Sequence, residues 1–206
     1  MNREDSSRPF SSSIWLPVLL LGAGLAFRAV KLRMGAGDPL GNFAPWMALA
    51  FTGAVVFPRA LAWWVWPLAL LAVDVAVQGS ETLAHLKDTW LVYACFAAAA
   101  AWGTSLRQRI GLAGTLARVI GCSLAFYLIT NTQAWLAIPA YEKTIAGWLQ
   151  ALTTGVPGFP PTLLFLRNSL VSDLGFSLAL LLAYNTEALI RRFETIPLVR
   201  RAALAA

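Results

Sequence analysis

Apolar runs of about bilayer-spanning length alternate with short polar breaks along almost the whole chain. A helix rising 1.5 Å per residue needs about 20 apolar residues to cross the hydrocarbon core. Six runs approach that length, at 14–30, 43–57, 60–78, 89–106, 110–138 and 163–189. The second is too short to cross upright without help. Residues 141–152 have helical character and fit an amphipathic segment lying along the membrane surface, while 153–162 is broken by Gly155, Gly158 and three prolines. The pattern predicts an all-α integral membrane protein, one domain over 1–206, built as a six-transmembrane-helix bundle. Trp63, Trp64 and Trp66 read as an interfacial belt at the start of the third run, and Pro67 as a kink in it. No small-residue cleavage site follows the apolar stretch 16–26, so the first run reads as a retained helix and not as a cleaved signal. Its Gly22, Ala23, Gly24 and Ala26 suit close helix packing or a docking face for a partner protein.

The sixth run changes the picture, because it carries Arg167, Asn168 and Asp173. A charge at the bilayer centre costs about 2.5–3.5 kcal/mol on the insertion scale. Arg167 and Asp173 are six residues apart, about 240° around a helix, whereas helical ion pairs want spacings of three or four. Their partners must come from other helices, which are expected to surround this one.

Composition agrees with the pattern: 58% of the residues are hydrophobic and 13% charged, against about 25% charged in soluble domains. The net charge of +6 is not a nucleic-acid signature here, since the basic residues sit at the ends of the runs. Arg3, Arg8, Arg59, Arg107, Arg109, Arg191, Arg192, Arg200 and Arg201 fall on one side, and Lys31, Arg33, Lys87 and Lys143 on the other. By the positive-inside rule both termini face the cytoplasm. Arg28, Asp74, Tyr93, Asn131, Arg167 and Asn168 then lie in the outer half of the membrane, and Arg118 and Asp173 near its midplane. Polar groups at that depth are tolerated when buried in protein or lining a cavity. The expectation is an outward-facing ligand pocket in which Asp74 meets Arg28, Arg167 or both, and Asp173 meets Arg118 or hydrogen bonds. The alternative is a set of fold-fixing ion pairs with no ligand. Cys95 and Cys122 sit inside apolar runs and suggest no disulfide. There is no phosphate-binding loop, HExxH or GxSxG, and the single histidine, His85, cannot build a catalytic zinc site alone.

Six helices, about 200 residues, small residues in the first run and an outer pocket under loops resemble the substrate-binding (S) components of energy-coupling-factor vitamin transporters. The segments Asn42-Phe43-Ala44-Pro45, Leu71-Ala72-Val73-Asp74, 141–149 (YEKTIAGWL) and 167–174 (RNSLVSDL) are similar to the solitary vitamin B12 type. The resemblance covers most of 33–176. It implies a bacterial inner-membrane protein that binds cobalamin or cobinamide from outside, with Asn42 and Tyr141 joining the outer polar residues as ligand contacts. It also implies a cobalt-ligating cysteine in the loop after the third helix. Ser80 stands there instead, and His85 is the other candidate donor. The chain has no ATPase motif, so uptake takes an energy-coupling partner with an ATPase, or the protein moves its vitamin alone. Two other classes stay open: a membrane enzyme that removes an upper ligand such as cyanide, which needs an accessible thiolate, and an assembly subunit with no small-molecule ligand.

Overall fold

The structure, a computed structural model, describes residues 15–34, 41, 43–57 and 62–200, the side chains of Lys87 and Asp88 excepted. The polar leader, Asn42 and Arg59 lie outside the described residues. Among the described residues every regular element is a helix: α1 (Trp15–Met34), a π-helical stretch Ala48–Thr52 running into α2 (Gly53–Val56), α3 (Val65–Gln78), α4 (Glu81–Ala84), α5 (Leu86–Leu106), α6 (Leu112–Ala137), α7 (Ile145–Leu152) and α8 (Thr162–Arg191). Among the described residues, four helices are long and apolar enough to cross a membrane: Trp15–Met34, Thr89–Leu106, Leu112–Ala137 and Thr162–Arg191. The architecture is compatible with a multi-pass membrane protein.

Contacts between elements fix the directions. The Leu16 amide donates to the Glu187 carboxylate, so the start of α1 and the end of α8 share one end of the bundle. Arg28 meets Asp74, and Tyr93 meets Asp74, toward the opposite end. Arg107 at the end of α5 donates to the Ala54 carbonyl, and Ser123 of α6 reaches Asp173 of α8. Each long element therefore runs opposite to the one before it. The end holding residues 15 and 191 is called here the terminal end, and the other the far end.

The element at the centre is not α8 but the short helical stretch from Trp46 to Val56. Residues 47–57 are buried without exception, and α1, α3, α5, α6 and α8 all pack on this stretch. Its Ala, Leu, Phe and Val side chains carry no charge and present an apolar surface all round, as a core helix must. Being shorter than the bilayer is no handicap for a helix that touches no lipid. Gly103 makes the closest approach possible: a Cβ there would lie 2.5 Å from the Phe51 carbonyl oxygen.

Two readings of the third run are corrected. Trp63 and Trp64 are exposed as a belt requires, but Trp66 is 2% exposed and packs its ring on Phe57, 4.8 Å between centroids. Trp63 and Trp64 sit in the turn before the helix, whereas Trp66 lies in the first turn of α3 and points into the core. Pro67 does not kink α3, because the helix begins at Val65. In the first turn its missing N–H has no intrahelical partner to lose.

The segment 141–152 contains a shorter helix than its pattern suggests, Ile145–Leu152. Thr144 caps it by accepting from the Gly147 amide at 3.1 Å. Ile145 and Leu149 stay exposed while Ala151 and Leu152 are buried. Trp148 Nε1 donates to Thr132 Oγ1 at 3.0 Å, and the Tyr127 hydroxyl donates to the Leu152 carbonyl. The helix thus rests against the far end of α6.

At the terminal end, residues 193–200 turn back after α8. The first amides of α6, Leu112 and Ala113, donate to the carbonyls of Pro197 and Leu198 at 2.9 and 3.0 Å. Helix starts leave such amides without intrahelical partners. Asn185 holds Ile196 in both directions, at 2.9 and 2.8 Å. A Cβ at Gly111 would meet the Pro197 carbonyl at 2.6 Å, so only glycine admits this strap.

Candidate functional site

Two polar cavities lie toward the far end, on either side of Trp46. The first, about 590 Å³, is lined by Arg28, Asp74, Gln78, Glu81, Thr82, His85, Thr89, Val92 and Tyr93. Arg28 and Asp74 form a buried pair in which the guanidinium donates from two nitrogens to both carboxylate oxygens. Planar, two-point pairing of this kind is the strongest arrangement open to the two groups. The Tyr93 hydroxyl donates to the same carboxylate. The Arg28 guanidinium also lies 4.3 Å from the Trp46 ring centroid, a cation–π contact. Thr82 Oγ1 donates to the Asp74 carbonyl at 3.2 Å and ties α4 over the cluster. His85 is exposed, with Nδ1 2.9 Å from the Glu81 carbonyl oxygen, so Nδ1 is the protonated nitrogen and Nε2 is left as a donor atom for a ligand.

The second cavity, about 200 Å³, opens between α6 and α8. Ser123, Phe126, Tyr127, Thr130 and Asn131 line it from α6, and Thr162, Phe165, Leu166, Ser169 and Asp173 from α8. Both sets recur at three- and four-residue spacing, which places each on one helix face. Asp173 accepts from the Met47 and Ala48 amides at 3.0 and 3.1 Å and from Ser123 Oγ at 2.8 Å. Arg118 does not serve it; that side chain folds back onto its own helix and donates to the Gly114 carbonyl at 2.9 Å. Of the two ways of matching Asp173, hydrogen bonding is the one found.

The polar residues of 167–174 turn out to grip backbone. Asn168 Nδ2 donates to the Gly41 carbonyl at 2.9 Å, Ser172 Oγ accepts from the Ala44 amide at 3.0 Å, and Asp173 accepts from the Met47 and Ala48 amides. One face of α8 thereby holds the entry into the central helix. Arg167 is exposed, contacts the Asn168 side-chain oxygen at 3.2 Å and does not reach Asp74.

Of the residues singled out from the sequence, Arg28, Asp74, His85 and Tyr93 meet in the first cavity and Asn131 lines the second. Ser80 is exposed at the start of α4 and does not line either. Tyr141 is buried ahead of α7, away from both. Asn42 lies outside the described residues. Missed from the sequence were Trp46, Phe126, Tyr127 and Phe165; the recurrence of aromatic and hydroxyl residues on one face of α6 was the available signal. Cys95 and Cys122 both line a third, apolar groove between α5 and α6 of about 470 Å³. Among the described residues no three His, Cys, Asp or Glu side chains group as a metal site.

The sequence matches the family of unknown function DUF6580 over residues 9–195. No curated protein and no solved structure matches it.

Proposed function

We propose that this chain, which belongs to the DUF6580 family, is a six-span protein of the bacterial inner membrane that captures cobalamin or cobinamide at its far end and carries it inward. The observation behind this reading is the first cavity. The buried Arg28–Asp74 pair and the half-buried Tyr93 form one wall, and the chain's only imidazole, His85, stands on another. Intramembrane charges mark binding and transport sites by default. Cavities of 300–1,000 Å³ suit organic ligands, and one of about 590 Å³ takes one face of a corrin with the remainder outside. Cobalt accepts an imidazole nitrogen as an axial donor. The uptake reading is favoured over cyanide removal because both cysteines line the apolar groove and neither lines this cavity. Energised uptake takes a partner with an ATPase; without one, the protein moves its vitamin down a gradient.

Purified protein incubated with cobalamin and then desalted is expected to retain the corrin absorbance. Ser80→Cys is expected to shift that spectrum and tighten retention, because thiolate is a far better cobalt donor than a hydroxyl. His85→Ala in the original chain should shift it too if Nε2 ligates. A colourless desalted protein sinks the corrinoid reading, and spectra unmoved by both substitutions remove 79–88 from the cobalt.

The termini supply a separate check. A reporter fused after residue 200 should be active in the cytoplasm alone, given the nine-to-four bias of basic residues that the sequence pattern sets at the two sides of the apolar runs. Activity on the outer side would invert the bundle and put the first cavity on the wrong face for uptake.

A further inference from the structure

The second cavity holds a buried acidic side chain that no cation on its described wall answers. Asp173 is 2% exposed, and its partners are neutral donors: two backbone amides and a serine hydroxyl. Among the described residues lining this cavity there is no Arg, Lys or His. Arg28 is held by Asp74 beyond the Trp46 ring, and Arg118 is held by the Gly114 carbonyl. The start of the central helix contributes about half a positive charge, which steadies the carboxylate without neutralising it. A buried carboxylate with no cation is costly.

The remainder of the wall sets the rings of Trp46, Phe96, Phe126, Tyr127 and Phe165, with some hydroxyl and amide side chains between them, around the space into which Asp173 opens. Ring faces are electron-rich and attract cations within about 6 Å, more strongly where water is excluded. A bare metal ion would want oxygens on all sides, whereas most of this wall is carbon. Carboxylate and rings together suit a cation that is itself clothed in carbon.

The geometry points to an organic monocation as ligand of this cavity, a primary or quaternary ammonium small enough for about 200 Å³, with its charge at Asp173 and its alkyl groups against the rings. The site is separate from the first cavity, since Trp46 stands between them, and it does not depend on the corrinoid reading.

The test uses full-length protein in detergent with no corrinoid. Choline is the probe, its neutral carbon isostere 3,3-dimethylbutan-1-ol the control, and sodium chloride the ionic-strength match. Thermal shift and tryptophan fluorescence are the readouts, Trp46 being in the wall. Choline should give a saturable response and the isostere should bind about tenfold more weakly. Asp173→Asn keeps an acceptor for the Met47 and Ala48 amides while removing the charge, and should abolish that preference. Ser169→Phe fills the cavity without altering Asp173 and should abolish choline binding; it decides the matter alone if the Asp173 variant does not fold. Equal binding of choline and isostere, no saturable choline response, an equal response to sodium, or choline binding that survives Ser169→Phe each overturns the proposal.

Discussion

Asp74→Asn lowers the melting temperature of the detergent-purified protein by on the order of 10 °C. The substitution is nearly isosteric, so packing is kept and the loss is electrostatic. It leaves the Arg28 guanidinium buried, with the Trp46 ring and a neutral amide in place of a carboxylate. Breaking a buried pair by removing one partner costs about 3–5 kcal/mol, because the survivor is an uncompensated charge. At this chain length each kcal/mol moves the midpoint by about 2–4 °C. Arg28→Gln should cost a similar amount from the other side. The double replacement Arg28→Leu/Asp74→Leu should recover much of the loss, since an apolar pair in place of a buried ion pair is often neutral or better. A scan of the three variants checks the argument. Single variants that melt with the parent protein would mean that water reaches the pair, and a double variant no better than the singles would mean that the residues act independently.

The second large effect is expected at Asp173. Asp173→Leu removes the acceptor for the Met47 and Ala48 amides and for Ser123 Oγ together. Each orphaned buried donor costs about 1–3 kcal/mol, and in a membrane interior water does not replace the acceptor. The melting temperature should again fall by on the order of 10 °C. Asp173→Asn keeps one acceptor oxygen and should lose less than half as much. Equal losses for the two substitutions would assign the effect to charge and not to the cap.

How far the sequence discloses this molecule depends on what kind of group does the holding. The long helices are legible because apolar length is a local property: α6 and α8 begin and end within a few residues of the runs 110–138 and 163–189. The Arg28–Asp74 pair is legible from depth, two opposite charges in the same leaflet of a medium that tolerates neither alone. The centrality of 46–57 is not legible, because a helix buried on every side has no periodicity to betray which way it faces. The work of Asn168, Ser172 and Asp173 is hidden for a different reason. Their partners are the backbone of Gly41, Ala44, Met47 and Ala48, and every residue carries those groups. Trp66 shows the limit of composition, since it lies inside α3 and buries its ring while Trp63 and Trp64, in the turn before the helix, stay exposed.

The strap at the terminal end sets an order of events during biosynthesis. Leu112 and Ala113 enter the bundle with their amides bare, and their acceptors at Pro197 and Leu198 are translated only after α8 is complete. Until then the start of α6 has water as its sole partner, and Asn185 has no Ile196 to hold. Closure of the terminal end is therefore the last of these contacts to form. A nascent chain stalled short of residue 197 would hold all its apolar helices and still present an open helix start to whatever surveys unfinished membrane proteins.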